Sequence, residues 1–115
     1  MKSYTDLEQS KKLAKILSHE SADMFYKAGN KTQPTFRLHS YGHIISDKDV
    51  CAWSLAALFN ILPDSTDIIK DKSDSENEKY MCTVGVKDDI ISTFGNSPID
   101  ACYQMVIKLK ENNLI

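Results

Sequence analysis

The chain has 115 residues, of which 42% are hydrophobic and 26% charged, a balance typical of one globular domain. Fourteen basic and sixteen acidic residues give a formal net charge of -2, which argues against a general attraction to nucleic acids or anionic membranes. Its three cysteines are an odd number spread along the chain, so we expect free thiols in a reducing cytoplasm rather than a disulfide framework.

The first predicted helix runs from about Asp6 to Leu17. Thr5 and Glu8 have the spacing of a capping box, in which each side chain satisfies a free backbone N–H at a helix start. Apolar residues recur on one face of this helix at the expected spacing, namely Leu7, Leu13, Ala14 and Leu17. We therefore expect the helix to pack on one side only.

Two strands, at 22–27 and 35–41, are predicted to pair as a hairpin across a turn at Gly29. Alternation in the second strand places Phe36 and Leu38 on one face, as in a sheet with one buried and one open face. The open face carries the candidate binding residues Arg37, His39, Tyr41 and His43. Aromatic and guanidinium groups can stack on a base or contact a protein there, although a plain solvated sheet face has the same composition.

A nearly all-apolar segment predicts a central core helix from Cys51 to Leu62, capped by Asp47 or Asp49 and ended by Pro63. The apolar stretch is too short to span a bilayer, so no membrane location is expected.

An acidic segment follows this helix. Residues 64–79 hold six acidic and three basic side chains and little apolar surface, which predicts a mobile surface loop.

The last third of the chain predicts a second hairpin and a closing helix. Strands are expected at 80–86 and 90–94. Ser97, Pro98 and Asp100 then have the types and spacing of a helix start. The buried stripe of this helix is predicted at Ile99, Cys102, Met105, Val106 and Leu109.

Together these elements predict an α+β fold class. Residues 1–115 should form a single domain in the order α-β-β-α-β-β-α, with a mostly antiparallel sheet packed against three helices.

The two histidines of the open face suggest a metal site only weakly. His39 and His43 have the i,i+4 offset that chelates zinc on a helix, but four residues of a strand span about 13 Å. No companion ligand motif is present, and the sequence has no glycine-rich nucleotide loop. We therefore expect no metal and no cofactor.

The cysteines suggest packing more than catalysis. Cys51, in the first turn of the predicted second helix, has the position of an activated thiol, which the nearby Asp47 and Asp49 would oppose. Cys82 and Cys102 fall on predicted core positions.

Four segments carry a resemblance to known proteins: YTDLEQSKKLA at 4–14, SADM at 21–24, AWSLAAL at 52–58 and PIDAC at 98–102. With them the chain resembles a set of small uncharacterised proteins of gut anaerobic bacteria and their phages or mobile elements. The resemblance implies a bacterial or phage intracellular setting and a shared scaffold. It implies no activity and no site residue.

The leading hypothesis is a non-catalytic intracellular binding or accessory protein that presents its sheet face or connecting loops to a protein partner. Association with a second copy stays open, and an enzyme is less expected. The first alternative is a small metal- or thiol-dependent enzyme that uses His39, His43 and a cysteine. The second is a nucleic-acid-binding module, less expected from the net charge, that uses Lys11, Lys12, Lys15 and Arg37.

Overall fold

A computed structural model describes residues 2–29, 32–36, 48–71 and 79–115 of the chain. Its elements, in chain order, are α1 Leu7–Ala14, β1 Met24–Tyr26, β2 Thr35–Phe36, β3 Val50–Ala52, α2 Leu55–Ile61, β4 Thr66–Asp71, β5 Lys79–Val86, β6 Asp89–Gly95 and α3 Pro98–Glu111, with a short 3₁₀ turn at His19–Ser21. The strands form two antiparallel sheets of three, β2-β1-β3 and β4-β5-β6. The predicted α+β class is confirmed, and the predicted order holds apart from the additional strands β3 and β4.

Helix α1 begins at a different cap from the one predicted. The Asp6 carboxylate accepts from the backbone N–H of Gln9 at 2.8 Å, and the Gln9 side chain accepts from the backbone N–H of Asp6 at 3.1 Å. Thr5 is fully buried, where its hydroxyl accepts from the backbone N–H of Trp53 at 3.0 Å and hydrogen-bonds Ser10. The predicted capping box at Thr5 is therefore wrong, because this hydroxyl satisfies a buried N–H of another element.

The first sheet contains the predicted hairpin. Strand β1 lies at its centre, with Met24 opposite Phe36 of β2. Gly29, in the connecting turn, has a φ of +88°, the left-handed region that favours glycine. Phe36 was predicted on the buried face and is instead 65% exposed. The rest of the predicted second strand, 37–41, lies outside the described residues.

The helix predicted at 51–62 is shorter than expected. Val50–Ala52 forms β3, which pairs with β1, and α2 begins only at Leu55. Ser54 is its N-cap, and the hydroxyl accepts from the backbone N–H of Ala57 at 3.2 Å. The error has a physical reason, because periodicity cannot distinguish a fully buried strand from a buried helix.

Asp49, one of the two predicted caps of that helix, does not cap it. The Asp49 carboxylate, just before β3, accepts at 2.9 Å from the backbone N–H of Ala28, which lies in the turn after β1. Asp47 lies outside the described residues. Cys51, predicted at a helix start, lies in β3 instead.

Part of the predicted acidic loop is also a strand. Thr66–Asp71 forms β4 and pairs with β5 along its whole length. Ile68 packs against the core while Ile69 remains 47% exposed. Burial of side chains at alternate positions is therefore enough to order this edge strand, although its composition is polar. The remaining loop residues, 72–78, lie outside the described residues.

The last hairpin and the last helix are confirmed. Strands β5 and β6 pair through a tight turn, and the Ser97 hydroxyl accepts from the backbone N–H of Asp100 at the start of α3. Every residue of the predicted stripe is fully buried. A Cβ on Gly95 would lie 2.5 Å from the backbone nitrogen of Ala101, so β6 can pass this close to α3 only at a glycine.

The three thiols are free and buried, in agreement with the expected packing role. The core that contains them joins α2 and α3 to the second sheet. Among the described residues, no helix combines the length and the apolar content required to cross a bilayer.

Candidate binding groove between the first and last helices

The four residues predicted to bind a partner, Arg37, His39, Tyr41 and His43, lie outside the described residues. That sheet-face site therefore stays a prediction. Three lysines of the nucleic-acid alternative, Lys11, Lys12 and Lys15, are exposed in α1 and at its C-terminal end, and Nζ of Lys11 lies 4.0 Å from the Glu8 carboxylate.

An ion-pair cluster joins the N-terminal ends of α1 and α3. Lys2 donates to Asp100 at 2.8 Å and to Asp6 at 3.0 Å, while the Gln9 amide donates to the same Asp100 oxygen at 2.8 Å. The Ser97 hydroxyl donates to the other Asp100 oxygen at 2.8 Å. We call these five residues the N-terminal clamp. It holds the two helix starts together.

The pKa values of the clamp residues follow from these contacts. Burial alone would raise the pKa of Asp100, but the hydrogen bonds from Lys2, Gln9 and Ser97 outweigh it and lower the pKa. The pKa of Asp6 is lowered in the same way, against burial, by Gln9 and Lys2. The pKa of Lys2 is raised, because its bonds to the two carboxylates outweigh the effect of burial.

The opposite ends of the same two helices leave a groove. A concavity of about 360 Å³ lies between the end of α1 and the last turns of α3. A second concavity of about 540 Å³ adjoins it and reaches β6. They share Lys12, Ile107 and Glu111, and we call the two together the α1–α3 groove.

The floor of the α1–α3 groove carries three apolar side chains, and the second concavity is also lined by the neutral polar residues Thr93, Gln104 and Asn112. Ile16 follows α1 and is 37% exposed, Ile107 of α3 is half-buried, and Phe94 of β6 is 51% exposed. Ile16 lies four residues after Lys12, and Ile107 lies off the buried stripe of α3, so helical spacing turns both toward the gap. The groove thus leaves apolar surface in water at a concave site.

The walls of the groove are mainly basic. Lys12 lies on the α1 side, whereas Lys108, Lys110 and Glu111 lie on the α3 side. Three lysines and one glutamate give a formal +2, opposite in sign to the whole chain. Both helices also end here, and each C-terminus contributes roughly half a negative charge, which leaves about +1. Within the described part of the chain, the side chains of these lysines form no ion pair.

A second apolar surface lies on the open face of the β4-β5-β6 sheet. The sheet register aligns Ile69, Met81 and Phe94 in one row across the three strands. Phe94 belongs to this row and to the groove. The row lies on an open sheet face of the kind predicted for the first hairpin.

A thiol and an imidazole also lie in contact, at the first sheet. The Sγ of Cys51 is 3.6 Å from Nδ1 of His19, a pairing that nucleophilic thiols use. However, Cys51 is only 3% exposed, and Trp53 donates to Ser21 at 3.0 Å beside it. Because a substrate cannot reach a thiol at this depth, the contact is a packing contact.

The other two thiols contact each other inside the core. The hydrogen bond to Cys82 and burial both raise the pKa of Cys102. Neither thiol is exposed to solvent. A buried neutral thiol is a poor nucleophile, so these residues serve the packing of α3 on β5.

No three His, Cys, Asp or Glu side chains come together as metal ligands within residues 2–29, 32–36, 48–71 and 79–115. His39 and His43, the histidines of the alternative metal-dependent enzyme, lie outside these ranges.

Of the groove residues, the sequence singled out only Lys12, and that for the nucleic-acid alternative. Lys108 and Lys110 lie in the last turn of α3, where lysines ordinarily complement the helix dipole, and Ile107 lies beside the predicted stripe without belonging to it. The available signal was an isoleucine next to Lys108, off the core face of a well-defined helix. No family model, curated protein or solved structure matches the chain, so the function has to be inferred from the groove itself.

Proposed function

We propose that the chain is a non-catalytic binding protein that holds a protein partner in the α1–α3 groove. One observation carries the proposal: the apolar floor formed by Ile16, Ile107 and Phe94 is open to solvent between basic walls. Exposed apolar surface with a polar rim is typical of protein interfaces. The setting implied by the sequence resemblance is the cytoplasm of a bacterium or of a phage-infected bacterium.

The distribution of perturbed groups supports binding over catalysis. Among the described residues, the charged side chains with shifted pKa values are Lys2, Asp6 and Asp100. All three belong to the N-terminal clamp, where they satisfy one another. They lie at the opposite helix ends from the groove, so they do not supply it with an acid or a base.

Affinity capture with matched variants tests the proposal. The tagged chain is incubated with lysates of gut anaerobic bacteria and of phage-infected cultures, and bound proteins are identified by mass spectrometry. Ile16→Glu places a charge on the groove floor and should remove the specific partner. Ile90→Glu makes the same change at a 70% exposed isoleucine outside the groove and should retain it.

A third variant separates the two apolar surfaces. Ile69→Glu alters the sheet row and leaves Ile16 and Ile107 intact. A partner that is lost with Ile69→Glu and kept with Ile16→Glu would place the interface on the sheet and contradict the proposal.

A further inference from the structure

We infer that the segment held in the α1–α3 groove is an amphipathic helix with an acidic polar face. The inference rests on the proposed function and adds the chemistry of the partner. Grooves between helices commonly bind the apolar side of a third helix. Such a helix presents side chains at spacings of three and four residues, which suits a track of separate apolar contacts rather than one deep pocket.

The groove offers such a track. Ile16 lines the first concavity, Phe94 lines the second, and Ile107 lines both. The apolar contacts therefore follow one another from the end of α1 across α3 to β6. An extended strand could pair only with the edge strand β6, whereas a helix satisfies its own backbone and can contact the apolar track along its whole length.

The lysines on the two walls determine the sign of the charge that the partner helix should carry. Lys12 lies on the α1 side, while Lys108 and Lys110 lie on the α3 side. A helix seated on the track would place the residues that flank its apolar stripe next to these ammonium groups. Acidic residues on both flanks complement them, and basic residues would be repelled.

Glu111 is the acidic residue among the lysines of the walls. It favours one direction of the bound helix over the other. It is the last residue of α3 and lines both concavities. A basic residue at one position of the acidic helix would meet it. The reverse orientation would bring an acidic residue there instead, so the single glutamate disfavours one direction of binding.

A nucleic acid fits the groove less well than an acidic helix. Binding to a phosphate backbone depends on many cationic contacts and releases counterions in proportion to them. Here three lysines face one glutamate and two helix C-termini, and the floor between them is apolar. Contact with the isoleucine floor stabilises apolar side chains of a partner and does not stabilise a charged phosphate backbone.

Synthetic peptides test the inference directly. The probe is a fluorescein-labelled helical peptide of about four turns, with leucines at helical i, i+3 and i+7 spacing and glutamates on its polar face. Its counterpart carries lysines in place of the glutamates. Fluorescence anisotropy should show at least about tenfold tighter binding of the acidic peptide, with a smaller difference at high salt.

Charge reversals identify the walls as the cause. Lys12→Glu combined with Lys108→Glu should abolish or invert the preference for the acidic peptide. Lys11→Glu combined with Lys87→Glu makes the same change in total charge at two exposed lysines that do not line the groove, and should preserve it. Circular dichroism checks that each variant remains folded.

Each other outcome contradicts either the inference of an acidic helix or the proposed function. Equal affinity for the two peptides, a preference for the basic one, or displacement of the acidic peptide by duplex DNA would contradict the acidic helix. If neither peptide binds while Ile16→Glu still removes the captured partner, the helix inference is wrong and the proposed function stands. If Ile16→Glu leaves capture unchanged, the proposed function itself is wrong.

Discussion

The two ends of the α1 and α3 pair are built in opposite ways. At the N-terminal end, Lys2, Asp6 and Asp100 satisfy one another within 3.0 Å and close the gap between the helices. At the C-terminal end, Lys12 and Lys108 face the gap without an ion pair in the described part of the chain, and Ile16 is left in water. Polar groups that bond within the chain stabilise it, whereas unpaired ones over apolar surface are available to another molecule. The comparison therefore predicts that damage to one end reduces stability and damage to the other reduces binding.

The largest loss of stability should follow from a methyl group at the clamped end. Gly95→Ala places a Cβ 2.5 Å from the backbone of Ala101 and 2.6 Å from Cβ of Asp100, so β6 and the start of α3 must separate. We expect a loss of about 3 kcal/mol in the free energy of unfolding, measured by urea denaturation. Gly85→Ala is the matched control, because its Cβ would meet Ser65 at an ordinary 3.6 Å. Equal losses in both variants would show that β6 and α3 are not tightly packed there.

Removal of the central carboxylate should have the next largest effect. Asp100→Ala deprives Lys2, Gln9 and Ser97 of a common acceptor. These groups are partly exposed, so the expected loss is about 1 to 2 kcal/mol, below that of a fully buried network. Lys108→Ala, at the open end, should change the unfolding free energy by less than about 0.5 kcal/mol. A similar loss in both would remove the distinction between the ends.

The clamp also predicts how stability depends on pH. The folded pKa values of Asp6 and Asp100 lie below their ordinary value of 3.8, so their contribution is present above pH 3.8 and is lost as the pH falls through the folded values. The folded pKa of Lys2 lies above 10.5, so its contribution is complete below pH 10.5 and is lost as the pH rises through the folded value. Urea midpoints from pH 7 down to pH 2 should fall less steeply for Asp100→Asn than for the parent chain. Parallel curves would contradict the assignment.

The smallest effect on stability is expected in the groove. Ile16→Glu adds a charge at a side chain that is already 37% exposed, and should change the unfolding free energy by less than about 0.5 kcal/mol while it removes partner binding. Thermal unfolding and the capture experiment on the same preparation check this. A large drop in the melting temperature would mean that Ile16 stabilises the fold, and loss of binding would then say nothing about an interface.

The parts of the fold that were predicted depend on local signals. Ser97 and Asp100 determine the start of α3 within four residues, and its apolar stripe repeats with the helical period, so no distant contact was needed. The cap of α1 was predicted at Thr5 and lies at Asp6, one residue later. Thr5 does not cap the helix because its hydroxyl accepts from the backbone N–H of Trp53, 48 residues away.

The parts that were missed depend on partners in space. Strand β3 exists because Val50–Ala52 pairs with β1, and β4 because β5 lies beside it. The groove depends on how α1 lies against α3, which no pattern within either helix describes. The predicted site around His39 lies outside the described residues and stays a prediction.

The clamp has a consequence for the time at which the groove forms. Lys2 and Asp100 are separated by 98 residues, nearly the length of the chain, so the contact that sets α1 against α3 closes a very long loop. During synthesis, α1 can already dock on β3 through Thr5 and Trp53 while α3 is still missing. The groove needs both helices, so it cannot form before α3 has been synthesised. We therefore expect a nascent chain released before Asp100 to be unable to engage the partner.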